Sequence, residues 1–168
     1  YENKSKYFIT NDVDINPTKK CIEEHYSKII NEKEVLGIYT SMCNTLGGII
    51  KISNDNIKKI NGFPNNIWGW GNEDKALQNR SEYYKLTKIT NLTNKYSYPE
   101  YIIRFDDIDD REKSNIRHNY YKEYIQLKNL SDKEKEEMIM SSGLNNIEYK
   151  IIERKMIHDI VELIKVDI

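Results

Sequence analysis

Two aspartates one residue apart, Asp12 and Asp14, follow an apolar stretch near the start of the chain. Residues 6–13 predict a short β-strand that ends in an acidic turn. Successive side chains of a strand point to opposite faces, so both carboxylates are expected on one side and Val13 on the other. Carboxylate oxygens suit Mn²⁺ or Mg²⁺ bound together with a diphosphate. The alternative is a solvated turn, in a chain with 27 acidic residues.

Both tryptophans of the protein, Trp68 and Trp70, precede the acids Glu73 and Asp74 in one glycine-containing segment. Glycine lets a backbone approach a ligand closely. Tryptophan faces stack on sugar rings, and carboxylates accept hydrogen bonds from sugar hydroxyls. The segment is therefore suited to a carbohydrate site. The alternative is that the tryptophans pack into the core and the acids cap the next helix.

His118 is the third residue with chemistry to consider. A single histidine is more often a surface or hydrogen-bonding residue than a metal ligand. It becomes a candidate ligand only in combination with Asp14.

The elements that must position these residues mix strands with helices. Gly47-Gly48 precedes an apolar strand, and Asn61-Gly62-Phe63-Pro64 is a strong turn signal. Residues 87–130 show little of the apolar periodicity from which helices and strands are predicted. Strands and helices in this mixture, with function in loops at strand ends, predict an α/β sheet domain. The predicted strands are 6–13, 37–39, 49–53, 101–105, 148–152 and 157–168; the predicted helices are 20–33, 54–60, 73–86 and 132–140.

Composition excludes some classes of function. The net charge is −1, with 26 basic and 27 acidic residues, so we expect no nucleic-acid partner. No apolar run approaches the roughly 20 residues that span a bilayer. The chain opens on Tyr1, so we expect the natural N-terminus, with any membrane anchor, to be missing. Cys21 and Cys43 are either a pair or two isolated thiols.

Residues 61–74 (NGFPNNIWGWGNED) closely resemble the signature of the animal β-1,4-galactosyltransferase family. Other segments of the chain resemble further parts of the family, in the family's order. These are Phe8–Asp14 (metal-binding strand and turn), Gly47-Gly48, Ile116–His118 (second metal-binding segment), and Ser142–Asn146 with Val166–Ile168 (C-terminal strands).

The resemblance implies an α/β fold of the GT-A nucleotide-diphospho-sugar transferase type, with a mixed sheet flanked by helices. Residues 1–168 would be a single domain, the C-terminal part of a catalytic domain that lacks its nucleotide-gripping N-terminal part. The implied activity is inverting transfer of galactose, or GalNAc, from UDP-galactose or UDP-GalNAc to the 4-hydroxyl of a glycan acceptor such as terminal GlcNAc. The implied cofactor is Mn²⁺, with Mg²⁺ possible. The alternative is a catalytically impaired carbohydrate-binding member of the family.

The residue match also implies roles. Asp74 would be the general base, and Glu73 would assist it in catalysis. The implied metal ligands are Asp14, His118 and Asn115. The implied donor-binding residues are Asp12, Val13, Asp14, Gly48, Trp70 and His118. The implied acceptor-binding residues are Asn72, Glu73, Asp74, Lys75 and Thr45.

Several positions depart from the family pattern. Asn115 replaces a methionine ligand, and Lys75 replaces an aspartate that contacts the acceptor's N-acetyl group; both favour the impaired alternative. Thr45 replaces an aromatic that narrows the donor pocket, so we expect UDP-GalNAc to be admitted. Tyr7 replaces a cysteine of the family disulfide, which leaves a pairing of Cys21 with Cys43 as the substitute.

The resemblance finally implies a place in the cell. Members of the family are typically type II membrane proteins of the Golgi lumen, so this chain would meet a membrane only through an anchor that it does not itself contain. A viral origin would instead place it in the cytoplasm or a viral factory.

Overall fold

The computed structural model describes residues 5–40, 45–66, 73–93, 96, 98–104, 129–159 and 161–167. A single turn of helix at Lys19–Cys21 continues into a π-helix at Ile22–Tyr26, and a 3₁₀ turn at Leu144–Asn146 follows the helix Asp132–Ser141. The strands are β1 (Tyr7–Asn11), β2 (Ile15–Pro17), β3 (Glu34–Thr40), β4 (Ile49–Ser53), β5 (Thr87–Thr93), β6 (Ile102–Arg104), β7 (Lys150–His158) and β8 (Val161–Asp167). The helices are α1 (Lys19–Cys21), α2 (Asn54–Lys59), α3 (Glu73–Tyr83) and α4 (Asp132–Ser141).

The central sheet has the strand order β1-β4-β3-β5. Strand β4 is antiparallel to both of its neighbours, whereas β3 and β5 are parallel, so the sheet is mixed. Strand β3 is buried at every position after Glu34. A continuous buried run is typical of a strand covered on both faces. The α/β mixed sheet predicted from the sequence is therefore confirmed.

The hydrophobic core consists of two clusters, one on each face of this sheet. Ile49 of β4 belongs to one apolar cluster, which also takes in the segment before β3 and strand β6. Ile50 and Ile52 belong to a second cluster, which contains Ile57 of α2 and Leu77 of α3. Since consecutive side chains of a strand point to opposite faces, the two clusters lie on opposite sides of the sheet.

The ends of the helices follow from local sequence. Ser53 caps α2, because its Oγ accepts the Asn56 N–H at 3.1 Å. Helix α2 ends where Asn61 (φ 57°) and Gly62 (φ 63°) enter the left-handed region, and the Gly62 N–H bonds to Ile57 O at 2.9 Å. The turn predicted at this point is confirmed.

Four sequence expectations need correction. The strand predicted over 6–13 ends at Asn11, because the Asp12 carbonyl turns to accept the Ile15 N–H at 3.1 Å. The predicted helix 73–86 ends at Tyr83, since Lys85 takes a positive φ of 59°. The predicted helix 20–33 is confined to residues 19–26. Strand β5 was not predicted, because its many polar residues do not have the apolar character expected of a strand that pairs with buried β3.

The two strands predicted at 148–152 and 157–168 are present as β7 and β8 with shifted bounds, and they pair as an antiparallel hairpin. Every residue of β7 is exposed, including Ile152, Met156 and Ile157. None of the helices in the described ranges combines the length and the apolar character that a membrane crossing requires.

Candidate functional site

The turn Asp12-Val13-Asp14 connects β1 to β2. The Asp12 N–H donates to Gly48 O at 2.9 Å, and the Asn11 side-chain amide donates to Ile15 O at 2.7 Å. Val13 is fully exposed at the tip. Asp12, Val13 and Asp14 therefore lie in a hydrogen-bonded turn and not in a strand. The prediction that strand alternation directs the two carboxylates is wrong.

The glycine pair brings the acidic turn next to the start of α3. Gly48 has a φ of 73°, and a Cβ there would lie 2.7 Å from Tyr39 O. A Cβ on Gly47 would overlap the carboxylate of Asp74. Asp12 is thus bonded to one glycine of the pair while Asp74 lies against the other. This juxtaposition joins two segments that the sequence marked separately.

Burial makes Asp74 an unusual acid. The pKa of its carboxyl is raised from the ordinary value of 3.8 to about 7, first by burial and then by the negative charges of Glu73 and Asp12. At neutral pH the protonated and ionised forms are therefore both populated. A carboxyl with such a pKa is suited to accept a proton under physiological conditions.

Asp12 shares this electrostatic environment. Asp12 as a whole residue is exposed, but its carboxyl is partly buried, and this burial raises the pKa of the carboxyl. The negative charges of Asp14 and Glu73 raise that pKa further. A hydrogen bond with the Gly48 backbone and the charge of Arg104 act in the opposite direction. The turn and the start of α3 therefore form one carboxylate cluster, defined here as Asp12, Asp14, Glu73 and Asp74.

Glu73 contributes an oxygen that lacks a partner. Its Oε2 is buried, and it makes no hydrogen bond within the part of the chain that the structure describes. A buried polar atom without a hydrogen bond is costly and uncommon, so its presence points to a ligand group. The start of α3 also offers a helix N-terminus, where negative charge is stabilised.

Arg104 is a site residue that sequence reasoning missed. Its Nη2 lies 3.7 Å from Asp14 Oδ2, and strand pairing places Arg104 opposite Ile15. The sole signal in the sequence was the predicted strand 101–105, which carried no indication that β6 pairs with β2.

A set of amide and hydroxyl contacts, defined here as the amide clasp, anchors the start of the family signature. Asn61 Nδ2 donates to Ile139 O at 2.9 Å and to Asn145 Oδ1 at 2.8 Å. Ser142 Oγ donates to Asn65 Oδ1 at 2.8 Å, and accepts the Asn65 N–H at 3.0 Å. The clasp therefore joins residues 61–66 to residues 139–146, two segments that separately resemble the family.

Arg80 joins helix α3, which begins at the end of the signature, to the turn at Asn61 and Gly62. Its side chain is fully buried in α3, and Nη1 donates to Asn61 O and Gly62 O, each at 3.1 Å. Buried charged groups require such partners. Helix α3, which carries Asp74, is thereby held against the turn at which the signature begins. Arg80 was not singled out from the sequence.

Hard oxygen donors in the cluster fit the cofactor that the resemblance implies. Asp12 and Asp14 supply carboxylate oxygens, the type of donor that Mn²⁺ and Mg²⁺ prefer. Over the described ranges, no three His, Cys, Asp or Glu residues are grouped so as to hold a metal by themselves. The predicted ligands His118 and Asn115 lie outside those ranges.

Of the remaining predicted residues, some lie within the described ranges and others lie outside them. Lys75 is half-buried beside Asp74, and Thr45 is buried next to Leu46, whose N–H donates to Gln78 Oε1 of α3 at 3.3 Å. Cys21 is a buried free thiol. Outside the described ranges lie Trp68, Trp70, Asn72 and Cys43.

Solved structures share this fold. A variant of the Drosophila β-1,4-galactosyltransferase 7, in complex with manganese, UDP-Gal and xylobiose, matches with a TM-score of 0.67 and 18% identity, over 99% of this chain and 68% of that one. The catalytic domain of the same Drosophila enzyme with xylobiose matches with a TM-score of 0.57 and 20% identity, over 96% and 66%. The chain thus has the GT-A fold of galactosyltransferase catalytic domains.

Sequence comparisons agree. A family model described as "N-terminal domain of galactosyltransferase" matches residues 27–106. Human β-1,4-galactosyltransferase 4 is 36% identical over 84 residues, which are 47% of this chain and 24% of the relative. Bovine β-1,4-galactosyltransferase 1 is 28% identical over 155 residues, 87% of this chain and 34% of the relative. The chain is thus similar in sequence to the β-1,4-galactosyltransferases, and it spans about a quarter to a third of the length of these relatives.

Proposed function

We propose that residues 1–168 form the metal- and acceptor-binding, C-terminal part of an inverting glycosyltransferase. The enzyme would transfer galactose or GalNAc from a UDP-sugar to the 4-hydroxyl of an acceptor sugar such as terminal GlcNAc. The similarity to β-1,4-galactosyltransferases and the fold support the class of reaction. The observation that carries the proposal is the half-buried carboxyl of Asp74, whose pKa is about 7 within the carboxylate cluster.

Asp74 would act as the general base. The acceptor hydroxyl must lose its proton as its oxygen attacks the anomeric carbon, and a carboxylate with a pKa near the working pH accepts that proton efficiently. Glu73, beside it, would hold a hydroxyl of the acceptor through its buried and unpartnered oxygen. Asn72 and Lys75 would complete the acceptor contacts.

The cofactor would be Mn²⁺, with Mg²⁺ as a substitute, held by Asp14 together with His118 and Asn115. When bound, the cation stabilises the negative charge that develops on the departing UDP. A solved relative of the same fold contains manganese and UDP-Gal, which supports this choice. Asp12, Val13, Gly48 and Trp70 would contact the donor.

The choice of donor would depend on Thr45. It is buried in the segment that leads to the glycine pair, and it is smaller than the aromatic residue that the family resemblance places there. Both UDP-galactose and UDP-GalNAc are therefore proposed as donors. An acceptor other than GlcNAc also remains within the proposal, because two related structures contain xylobiose.

The test is the substitution Asp74→Asn in the full-length protein, assayed with Mn²⁺, both UDP-sugars and a panel of sugar acceptors. Transfer should fall by at least about 10²-fold, because a general base contributes roughly 10² to 10⁴ in rate. Acceptor binding, measured by calorimetry, should persist because the amide retains the shape of the carboxyl. The matched control is Asp55→Asn, an exposed acid in the first turn of α2, which should leave transfer unchanged.

Two results would go against this assignment. Transfer that survives Asp74→Asn within about threefold would remove Asp74 from the role of base. Sugar binding by the wild-type protein without any transfer would instead establish the impaired, carbohydrate-binding alternative, which Lys75 in place of the family's acid favours. A type II location in the Golgi lumen belongs to the same proposal, and microscopy of the tagged full-length protein tests it.

A further inference from the structure

The segment of residues 45–48, defined here as the glycine loop, contacts both parts of the carboxylate cluster. Gly48 O accepts the Asp12 N–H at 2.9 Å, which connects the loop to the acidic turn. Gly47 is buried, and a Cβ there would overlap the carboxylate of Asp74. The position of the glycine loop therefore determines how much water reaches the Asp74 carboxyl from that side.

Gln78 binds the same loop one helical turn further along α3. Residues four apart on a helix lie on one face, so the side chain of Gln78 follows that of Asp74. Gln78 Oε1 accepts the Leu46 N–H at 3.3 Å. Leu46 is fully buried, so its N–H needs an acceptor inside the protein. Helix α3 thus contacts the glycine loop at two successive turns, through Asp74 and through Gln78.

Two charged neighbours determine which end of the Gln78 amide faces the loop. Lys88 Nζ, from β5, donates to Gln78 Oε1 at 3.3 Å, and Gln78 Nε2 donates to Glu82 Oε1 at 2.8 Å. An ammonium can only donate and a carboxylate can only accept, so the amide oxygen must point to Lys88 and the amide nitrogen to Glu82. The oxygen that Leu46 requires is therefore held in place by groups of opposite charge.

We infer that Gln78 is a positioning residue for Asp74. By holding the N–H of Leu46, it keeps Gly47 against the Asp74 carboxyl. Its importance for catalysis rests on the proposed function, in which Asp74 is the general base. The contact between the loop and Asp74 exists whether or not transfer occurs, so the two can be tested separately.

Burial is the largest cause of the raised pKa of Asp74, ahead of the negative charges of Glu73 and Asp12. Release of the glycine loop would let water reach the carboxyl, and a better-solvated carboxyl ionises at lower pH. Gln78 therefore influences the pH at which Asp74 becomes a base, although it is one helical turn away.

The experiment substitutes Gln78→Met in the full-length protein. Methionine has nearly the same length and shape as glutamine, but it offers Leu46 only a weak sulfur acceptor. The midpoint of the rise of kcat/KM with pH should fall by about one pH unit, as expected for partial loss of burial. If this variant does not fold, Gln78→Leu replaces it with the same expectation.

The second readout needs no activity. Urea unfolding gives the loss of stability between about pH 5 and about pH 8, part of which arises because folding raises the pKa of Asp74. With that pKa lowered, the folded protein holds its proton less tightly over this interval. The loss should therefore be smaller in Gln78→Met than in the wild type.

Gln78→Glu is the conservative variant. It keeps an oxygen acceptor for Leu46 and Lys88, so the loop should stay in place and the midpoint should lie at or slightly above that of the wild type, because the added charge is negative. The matched control is Glu82→Leu, which removes the exposed acceptor of Gln78 Nε2 while leaving the contact with Leu46. It should leave the midpoint in place.

The order of the midpoints excludes a merely structural explanation, since general damage would lower the plateau without sorting the variants in this way. An unchanged midpoint in Gln78→Met, or an equal fall in Gln78→Met and Gln78→Glu, would overturn the positioning role while leaving Asp74 as the base. A wild-type protein without transfer would overturn the proposed function. The unfolding measurements would then decide the positioning role alone, and an equal loss of stability in Gln78→Met and the wild type would overturn it.

Discussion

Asp74 meets three neighbours that act on its charge or its position: Gly47 lies against the carboxyl, and Glu73 and Asp12 add negative charge. The folded protein binds the Asp74 proton more tightly than the unfolded chain does, because the pKa rises from 3.8 to about 7 on folding. The free energy of unfolding therefore decreases as the pH rises through that interval. At the residue scale, the ionised form of Asp74, which the proposed role requires, therefore lowers the stability of the folded protein above pH 7.

The proposed role of Asp74 as general base predicts how transfer depends on pH. A base must be ionised to accept a proton, so kcat/KM should rise with pH to a plateau, with its midpoint near pH 7. Glu73→Gln removes the second-largest cause of the raised pKa, and it should move the midpoint to lower pH even though it also lowers the plateau. Pre-steady-state or steady-state rates between about pH 5 and pH 9 measure both quantities.

A control on the same helix separates this effect from general damage. Glu82→Gln removes an exposed acid of α3 and should leave the midpoint in place. If Glu73→Gln lowers the plateau but leaves the midpoint where it was, the coupling between Glu73 and the base is refuted.

At the scale of elements, the amide clasp determines where the signature segment begins. It joins the turn after α2 to the end of α4, and Ser142 Oγ contributes contacts to both Asn65 and Asn66. Gly143 has a φ of 149°, and a Cβ there would overlap Asn61 O. The two segments therefore approach each other backbone to backbone, which explains why glycine and asparagine occur in both.

Ser142→Ala tests the clasp. It removes the hydroxyl of a buried serine from its hydrogen bonds with half-buried Asn65 and exposed Asn66, so the free energy of unfolding should fall by about 0.5–1.5 kcal/mol. Ser141→Ala is the matched control, because Ser141 is exposed and its Oγ bonds only within its own helix, to Met138 O at 2.8 Å. That change should stay within about 0.5 kcal/mol. Urea unfolding of both variants measures the difference, and equal losses would contradict the role of the clasp.

At the scale of the whole molecule, stability is unevenly distributed. Strand β3 is buried between two apolar clusters, whereas every residue of β7 is exposed. An isolated two-stranded hairpin is at best marginally stable in water. The hairpin and the central sheet should therefore open with different free energies.

Hydrogen exchange followed by mass spectrometry measures this difference. Amides of β3 and β4 should exchange at least about 10²-fold more slowly than those of β7 and β8, as expected when local opening is cheap in one region and requires global unfolding in the other. Equal protection in the two regions would show that the hairpin is covered in solution. The exchange of α4, which the clasp joins to the rest of the fold, serves as the internal reference.

The sequence alone indicated the resemblance to the galactosyltransferases, the type of fold and most of the elements. Residues 61–74 and 8–14 carry side chains specific enough to indicate a family, and β4, α2 and α4 follow from local apolar spacing and from capping residues such as Ser53 and Ser131. These features depend on neighbours in the chain, which is why a reading of the chain finds them.

Only the tertiary structure decided how the site is assembled. The contact of Gly47 with Asp74, the pKa of about 7 that burial imposes on that acid, and the approach of Arg104 to Asp14 each join residues distant in sequence. Strand β5 likewise became visible only through its pairing with β3. Desolvation and charge coupling depend on distances in space, and no local pattern of residues encodes those distances.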